Sequence, residues 1–415
     1  MKISSLKTYL YSKDIYFLCL AFTLATINYP KHNINSISLI LLLFFWLINF
    51  KNNVKQTILD LKNSKYVKIT FLFFACYCIA LLYSNNLPKG LNVIKLKLPI
   101  LIVPILFINA KNKLKIKQIG QLKKVFIFST IIYCIYTIVA VFFDFNPIDE
   151  QTYLTGQKSY FHSGLTYKID NHPTYLSYSI IVSIIFLWDI LIKKQISHSV
   201  FILIYMFFSV YILLLSSKIG FVLFVISTII YLNKYIKQLT RRILVSLIFL
   251  VTIVSISLNS DLGKRFVLEY QSIINIKDLK NKSIPLKIKP QRAIAIDIFF
   301  NQPISQILLG VGTGDTQDYL DKKYRHYLPT TNRTAFKKLN YHNQFLQTTS
   351  STGIIGLSTL CLIIFYSINK KKFHHIVFLS SIAIFFCFES FLETQRGVML
   401  FILINSFYVN LFNKE

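Results

Sequence analysis

The stretch Tyr341–Leu357 reads YHNQFLQTTSSTGIIGL, with His342 and Asn343 as the last strongly polar pair before an apolar run. An imidazole titrates near neutral pH, so a histidine held at the head of a membrane helix can take up and return a proton. The plainer role for the same residue is a helix cap, because polar side chains satisfy the free N–H groups of a first turn. Gly353 and Gly356 are three residues apart and share one helix face. Small residues there allow another helix to approach closely inside a membrane.

Other residues with chemical potential are scattered along the chain. In LLLSSKIG, Lys218 lies in a tight turn between two apolar runs; it is either an anion contact or a lysine snorkelling at an interface. GKRF supplies Lys264 and Arg265, and KPQRAIAIDIFF places Arg292 at the opening of an amphipathic helix with Asp297 five residues on. A guanidinium grips a phosphate through two parallel hydrogen bonds, although a single arginine serves equally as a headgroup or surface charge. In LLGVGTGDTQDYL, Gly310, Gly312 and Gly314 predict a turn whose backbone N–H groups could face a phosphate, with Asp315 or Thr316 capping the next helix. Without a preceding strand this is not a nucleotide-binding pattern.

NHPTYLSY brings His172 and Tyr175 to the start of an apolar run, with Pro173 at a position a helix tolerates. ESFLETQRG sets Glu389 and Glu393 as i, i+4 neighbours beside Arg396. Ionisable residues at membrane depth are costly and are functional suspects by default, with an ion pair to the arginine as the structural alternative. No acidic pair suited to a divalent metal and no GxSxG or HExxH pattern occurs, so neither metal nor cofactor is expected. Cations, a histidine and an apolar body together suit a substrate with a lipid tail and an anionic head.

These residues are carried by a chain that is 54% hydrophobic and 15% charged; a soluble domain has about 25% charged residues. Its continuous runs approach the ~20 apolar residues that cross a bilayer and lack the alternation of a barrel strand. They predict an all-α polytopic membrane protein with spans at 14–30, 36–50, 66–83, 98–110, 123–145, 174–192, 199–215, 219–233, 242–259, 344–368, 374–390 and 396–411, the fourth and eighth being short. The first run, from Ile15, reads as a span and not as a cleaved signal peptide. The net charge of +29 lies largely in short loops, where it serves topology and does not point to nucleic acid.

One alternating set of loops holds 19 Lys and Arg, Lys123 and Lys124 among them, against the single acid Asp60. That set is expected on the cytoplasmic side together with both termini. The other set, including 84–97, 146–173 and the long 260–343 segment, then faces outward. The chain divides into 1–259 with nine spans, 260–343 as a loop carrying short helices, and 344–415 with three spans. The six cysteines fall in apolar runs without metal-ligand or disulfide spacing.

The His-Asn…Gly-x-x-Gly-Leu pattern of YHNQFLQTTSSTGIIGL resembles the signature of the O-antigen ligase and O-antigen polymerase superfamily. LLYSNNLPKGLNVIKLKLPILIVPILF, HPTYLSY, LLLSSKIG, KRF, the Arg292 helix followed by LLGVGTGD, and ESFLETQRG occur in the order that such ligases show, so the resemblance covers most of the chain. It implies a fold similar to the C-type glycosyltransferases, with one large outer loop between spans nine and ten. It implies inverting, metal-independent transfer of a glycan from undecaprenyl diphosphate to an acceptor, a lipid A-core sugar in the ligases, at the periplasmic face of the bacterial inner membrane. By the same resemblance Arg265, Arg292 and Lys218 hold the diphosphate and His342 activates the acceptor hydroxyl. Attack on the face opposite the diphosphate needs a base near the acceptor, for which Glu393 is the second candidate after His342; Glu393, Asn343, His172, Tyr175 and Arg396 complete the expected substrate-binding set. One departure stands out: the turn before span eight usually carries arginine, and Lys218 keeps the charge but lacks the two-pronged fork.

Three readings compete. The first is the ligase-type transferase. The second uses the same chemistry for a polymerase of repeat units or for glycan transfer to protein. The third is a transporter of a lipid-linked or other anionic substrate, which would favour repeated halves and polar groups at mid-membrane.

Overall fold

The computed structural model describes residues 13–29, 34–50, 54–108, 114–143, 163–166, 171–241, 243, 245–247, 262–263, 266–267, 291–325, 340–368 and 373–411. Among them the order is α1 (Lys13–Thr26), α2 (Ile34–Phe50), α3 (Val54–Asn63), α4 (Lys65–Leu82), α5 (Leu87–Phe107), α6 (Ile116–Phe143), α7 (Ser163–Thr166), α8 (Pro173–Ile192), α9 (His198–Leu215) and α10 (Lys218–Tyr235). Then come α11 (Gln291–Phe300), α12 (Ile304–Leu309), α13 (Thr316–Tyr324), α14 (Gln344–Tyr366), α15 (Phe373–Phe388), a 3-10 turn at Phe391–Glu393 and α16 (Gln395–Leu411). No strand occurs among the described residues.

The helices α4, α5, α6, α8, α9, α10 and α14 are long and apolar enough to cross a membrane, and α1, α2 and α15 are apolar but shorter. The chain is a multi-pass membrane protein. Every predicted span except the ninth falls on a helix; 242–259 lies almost wholly outside the described residues. Two boundaries are corrected. The fourth span is not short: it begins at Leu87, inside the expected 84–97 loop, because the Asn86 side chain accepts from the Lys89 N–H at 3.3 Å and Pro88 occupies the first turn, where a missing N–H costs nothing. The eighth is a full helix, α10, started by Ser217, whose hydroxyl accepts from Gly220 N at 3.3 Å.

Burial sorts the helices into inner and outer ones. Almost every residue of α8 is buried, and α16 is nearly as enclosed. A helix apolar on all sides belongs in the interior of such a bundle. Around α8 pack α6, α9, α10 and α15; α16 lies against α5, and α14 against α4. The outer helices leave apolar side chains uncovered, among them Phe71 of α4, Phe128 and Ile132 of α6, and Leu203 and Met206 of α9.

At one end of the bundle a second, smaller core joins Ile294, Ala295, Ile298 and Phe299 of α11 to Leu320 and Tyr324 of α13 and to Tyr341. The glycine-rich turn after α12 ties this unit to the spans. Val311 N donates to Ser350 O at 2.7 Å, Thr313 N to Ala80 O at 3.3 Å, and Gly314 N to the Ser84 hydroxyl at 3.0 Å. These amides are therefore occupied by the last turn of α4, by Ser84 just past it and by Ser350 within α14, and do not form the expected phosphate cradle. Asp315 is redirected as well: it makes no cap bond to α13, and its carboxylate accepts from the backbone N–H groups of Asn85 at 2.8 Å and Asn86 at 2.9 Å.

α14 is not one straight rod. Gly353 interrupts it at φ 70° and ψ −171°, a region that side-chain-bearing residues avoid. A Cβ there would run into the Leu308 carbonyl. The close approach expected at this glycine is thus made by the short α12 and not by another span. Gly356 instead faces Thr352 of its own helix.

Candidate functional site

The site is built where α14 begins, α15 ends and α16 begins. Asn343, not His342, caps α14: its Oδ1 accepts from Leu346 N at 3.0 Å, and its Nδ2 donates to Cys387 O at 3.2 Å. Asn343 therefore fixes the start of α14 to the end of α15. His342 precedes the cap with φ 47°, and its backbone N donates to Asn340 Oδ1 at 2.8 Å. Left-handed backbone at a histidine is uncommon and is held here by these neighbours.

The imidazole projects toward the last residues of α15. His342 Nδ1 lies 3.6 Å from Glu389 Oε2, within ion-pair range though longer than a hydrogen bond. On the other side of the ring, Nε2 is buried and has no hydrogen-bond partner. A nitrogen in this position gains from any hydroxyl brought within reach.

Glu389 and Glu393 are not neighbours on one helical face as their spacing suggested. α15 stops at Phe388, and Phe391–Glu393 forms the separate 3-10 turn, so the two carboxylates diverge. Glu389 meets His342, whereas Glu393 Oε1 pairs with Lys97 Nζ at 2.8 Å. The expected arginine partner is in this respect replaced by a lysine from α5. Lys97 also donates to Leu392 O at 2.5 Å and stands 5.0 Å from the centre of the Tyr77 ring. Gln344 closes the set: its Oε1 accepts from Leu392 N at 2.7 Å, and its Nε2 donates to Glu393 Oε1 at 3.3 Å. Thus α5 and α14 hold both the backbone and the carboxylate of the turn.

α8 supplies an aromatic wall. The exposed His172 stands at the N-cap position without a side-chain cap bond, and its ring centre is 5.4 Å from that of Tyr175. Tyr175 packs in turn against Phe391 at 5.3 Å and lies within electrostatic reach of Glu389, Glu393 and Arg396. Lys218 opens α10 beside this wall, for Ser177 of α8 reaches the Ser217 hydroxyl at 3.3 Å. Arg292 is the second residue of α11, a helix whose other end touches Tyr341 through Phe299, with ring centres 6.2 Å apart. Lys264 and Arg265 lie outside the described residues.

The structure therefore brings His342, Glu393, Arg396, Tyr175 and His172 to one end of the bundle together with Glu389, and sets Asn343 there as a structural cap. Sequence reading passed over Lys97 and Gln344. Lys97 carries a signal, a second cation after Lys95 in IKLKLPILIVP, but a span begun at Leu98 leaves it in a loop. Gln344 had none, since its role depends on the turn that it meets.

Beyond this end lies a second polar centre. Lys123 of α6 pairs with Asp189 of α8, both fully buried. Lys193 Nζ and His374 Nε2 each stand 3.2 Å from Asp189 Oδ1, and His374 Nδ1 meets the Tyr231 hydroxyl at 2.8 Å. Lys123 is thus not the loop charge that its place in the basic run suggested. All six cysteines are free.

The chain matches no curated protein sequence. Residues 201–361, from α9 through most of α14 and including Lys218, Arg292, His342 and Gly353, match the family model described as O-antigen ligase. Over this segment the chain is similar to the O-antigen ligase family.

Proposed function

We propose that the chain is an O-antigen ligase-type glycosyltransferase, moving a glycan from undecaprenyl diphosphate to an acceptor hydroxyl, such as one on a lipid A-core sugar. The reaction is read as inverting and metal-independent, on the periplasmic face of the inner membrane. The observation that carries this reading is His342, with Nδ1 turned toward a carboxylate and Nε2 left without a partner. That is the arrangement of a general base: the acceptor hydroxyl gives its proton to Nε2, and Glu389 stabilises the imidazolium that forms.

In this scheme the acceptor oxygen bonds to the anomeric carbon on the face opposite the diphosphate. The anomeric C–O bond breaks, and its electron pair leaves with the diphosphate. Fixed cations in a water-poor site stabilise that charge as it develops. Arg292, Arg265 and Lys218 are assigned this role, with Arg396 beside them. His172 and Tyr175 form a stacking wall suited to a sugar ring, and Lys97 with Gln344 holds Glu393 at its edge.

The test is reconstitution of the purified protein with a lipid-linked glycan and a lipid A-core acceptor. Wild-type protein is expected to yield acceptor-linked glycan, and His342→Ala or Arg292→Ala to lose it. Full transfer by both variants would refute the assigned roles. Chain growth on the lipid carrier would make the protein a polymerase, and transfer to protein would change the acceptor class. Movement of the donor across vesicles without a new glycosidic bond would make it a transporter.

A further inference from the structure

The outward face of α11 and α12 is apolar. Phe300 is 72% exposed and Ile304 74%, and Ile296, Leu308 and Leu309 are exposed with them. Ile296 and Phe300 share one face of α11, and Ile304 and Leu308 one face of α12, so each helix presents an apolar strip. No charged residue lies between Asp297 and Asp315. The inward side of the same segment is already engaged: Ile294, Ala295, Ile298 and Phe299 fill the small core, and Gln302 Nε2 donates to the Tyr341 hydroxyl at 2.9 Å. The strips therefore lie on a second face. A contiguous apolar patch of this kind on a folded unit marks a contact with membrane or partner.

Its level in the molecule identifies the contact. The Leu308 carbonyl abuts Gly353, about 14 Å along α14 from Gln344 at 1.5 Å per residue. The Tyr83 hydroxyl donates to Leu309 O, and Thr313 Oγ1 donates to Tyr77 O at 2.7 Å. So α12 stands beside the last turns of α4 and not above them. At that level α4 itself presents Ile79 and Leu82, the latter 84% exposed, on a helix long and apolar enough to cross a membrane. The strip on α12 continues that surface. Exposed charges return in α13 and at the head of α5, where Asp318 and Lys89 pair.

We propose that α11 and α12 form an interfacial element immersed in the leaflet on the His342 side, their strips covered by the glycerol and upper acyl region of that leaflet's lipids. An amphipathic helix pair lying in the interface plane buries such a face without crossing the bilayer. The inference does not depend on the reaction catalysed.

Brominated-lipid quenching tests it on the full chain in nanodiscs, by comparing each variant with the parent protein to subtract Trp46 and Trp188. Phe300→Trp and Ile304→Trp are expected to add blue-shifted emission that phospholipid brominated high on its acyl chains quenches as strongly as it quenches Leu82→Trp. Lys322→Trp on α13 is expected to add emission that iodide quenches and brominated lipid does not. Red-shifted, iodide-quenched emission from Phe300→Trp and Ile304→Trp would overturn the proposal. So would emission shielded from both quenchers in a dimeric particle, which would assign the strips to a second copy of the chain.

Discussion

Two buried lysine–carboxylate pairs hold opposite ends of this bundle, and they differ in what surrounds them. Lys123 and Asp189 are both wholly buried, and Lys193 and His374 crowd the same carboxylate. At the other end Lys97 is wholly buried, but Glu393 remains 21% exposed and His342 24%. The residue types are nearly the same. The Lys123–Asp189 pair is closed on both sides, with Lys193 reaching the carboxylate from a more exposed position; at the other end the Glu393 carboxylate is itself partly exposed. Exposure of the carboxylate, more than the presence of charge in the membrane, separates the candidate site from the structural clamp.

Substitutions can break or sharpen this contrast. The largest expected effect on folding is at the clamp. Asp189→Leu strands Lys123 without its anion and should cost roughly 3–5 kcal/mol, read as an early melt in detergent. Adding Lys123→Met should recover most of that loss, because removing both charges is far cheaper than removing one. An Asp189→Leu protein that melts like the parent would show that the clamp is not structural.

The open end should respond in the opposite sense. His342→Gln is expected to lower transfer by roughly 10²–10⁴-fold, the usual contribution of a positioned base, with no earlier melting. Equal losses of stability and of transfer would erase the distinction between the ends. Lys97→Met lies between the two. It leaves Leu392 O without its side-chain donor and Glu393 with Gln344 alone, and since Glu393 can hydrate, the expected cost is about 1–3 kcal/mol. Transfer should fall by more than this destabilisation explains, because the 3-10 turn loses one of its two anchors.

The smallest effect is expected at the exposed Lys89–Asp318 pair, whose hydrogen bond holds the Asp318 carboxyl below the usual carboxylate range. A depressed carboxylate stabilises the fold above its unfolded pKa and loses that contribution as pH falls through its folded value. Lys89→Met should therefore cost at most about 1 kcal/mol at neutral pH, less in high salt, and nothing in strong acid. Melting curves across pH and ionic strength measure it.

Much of this arrangement was legible in the sequence. Continuous apolar runs mark the helices, and His342, Tyr175, Glu393 and Arg396 stand out by residue type and position alone. The rest was hidden for identifiable reasons. A lysine beside or inside an apolar run reads the same whether it snorkels or is buried against a carboxylate distant in the chain, so the sequence alone sets Lys97 in a loop and Lys123 among topological charges. The spacing of Glu389 and Glu393 implied a shared face only while the helix continued, and nothing in SFLE announces a break. In GVGTGD, local pattern implies the turn but not the distant residues Ala80, Ser84 and Ser350 that occupy its amides.

The joint at Gly353 bears on how such a protein suits bilayers of different thickness. Below it, residues 354–366 form the apolar length of α14; above it, 344–352 form a polar length enclosed by other helices. A residue inserted above the joint would rotate His342 about the axis by about 100°. Turns added below the joint would lengthen the lipid-crossing part alone, so membrane thickness can be matched there without disturbing the geometry at His342.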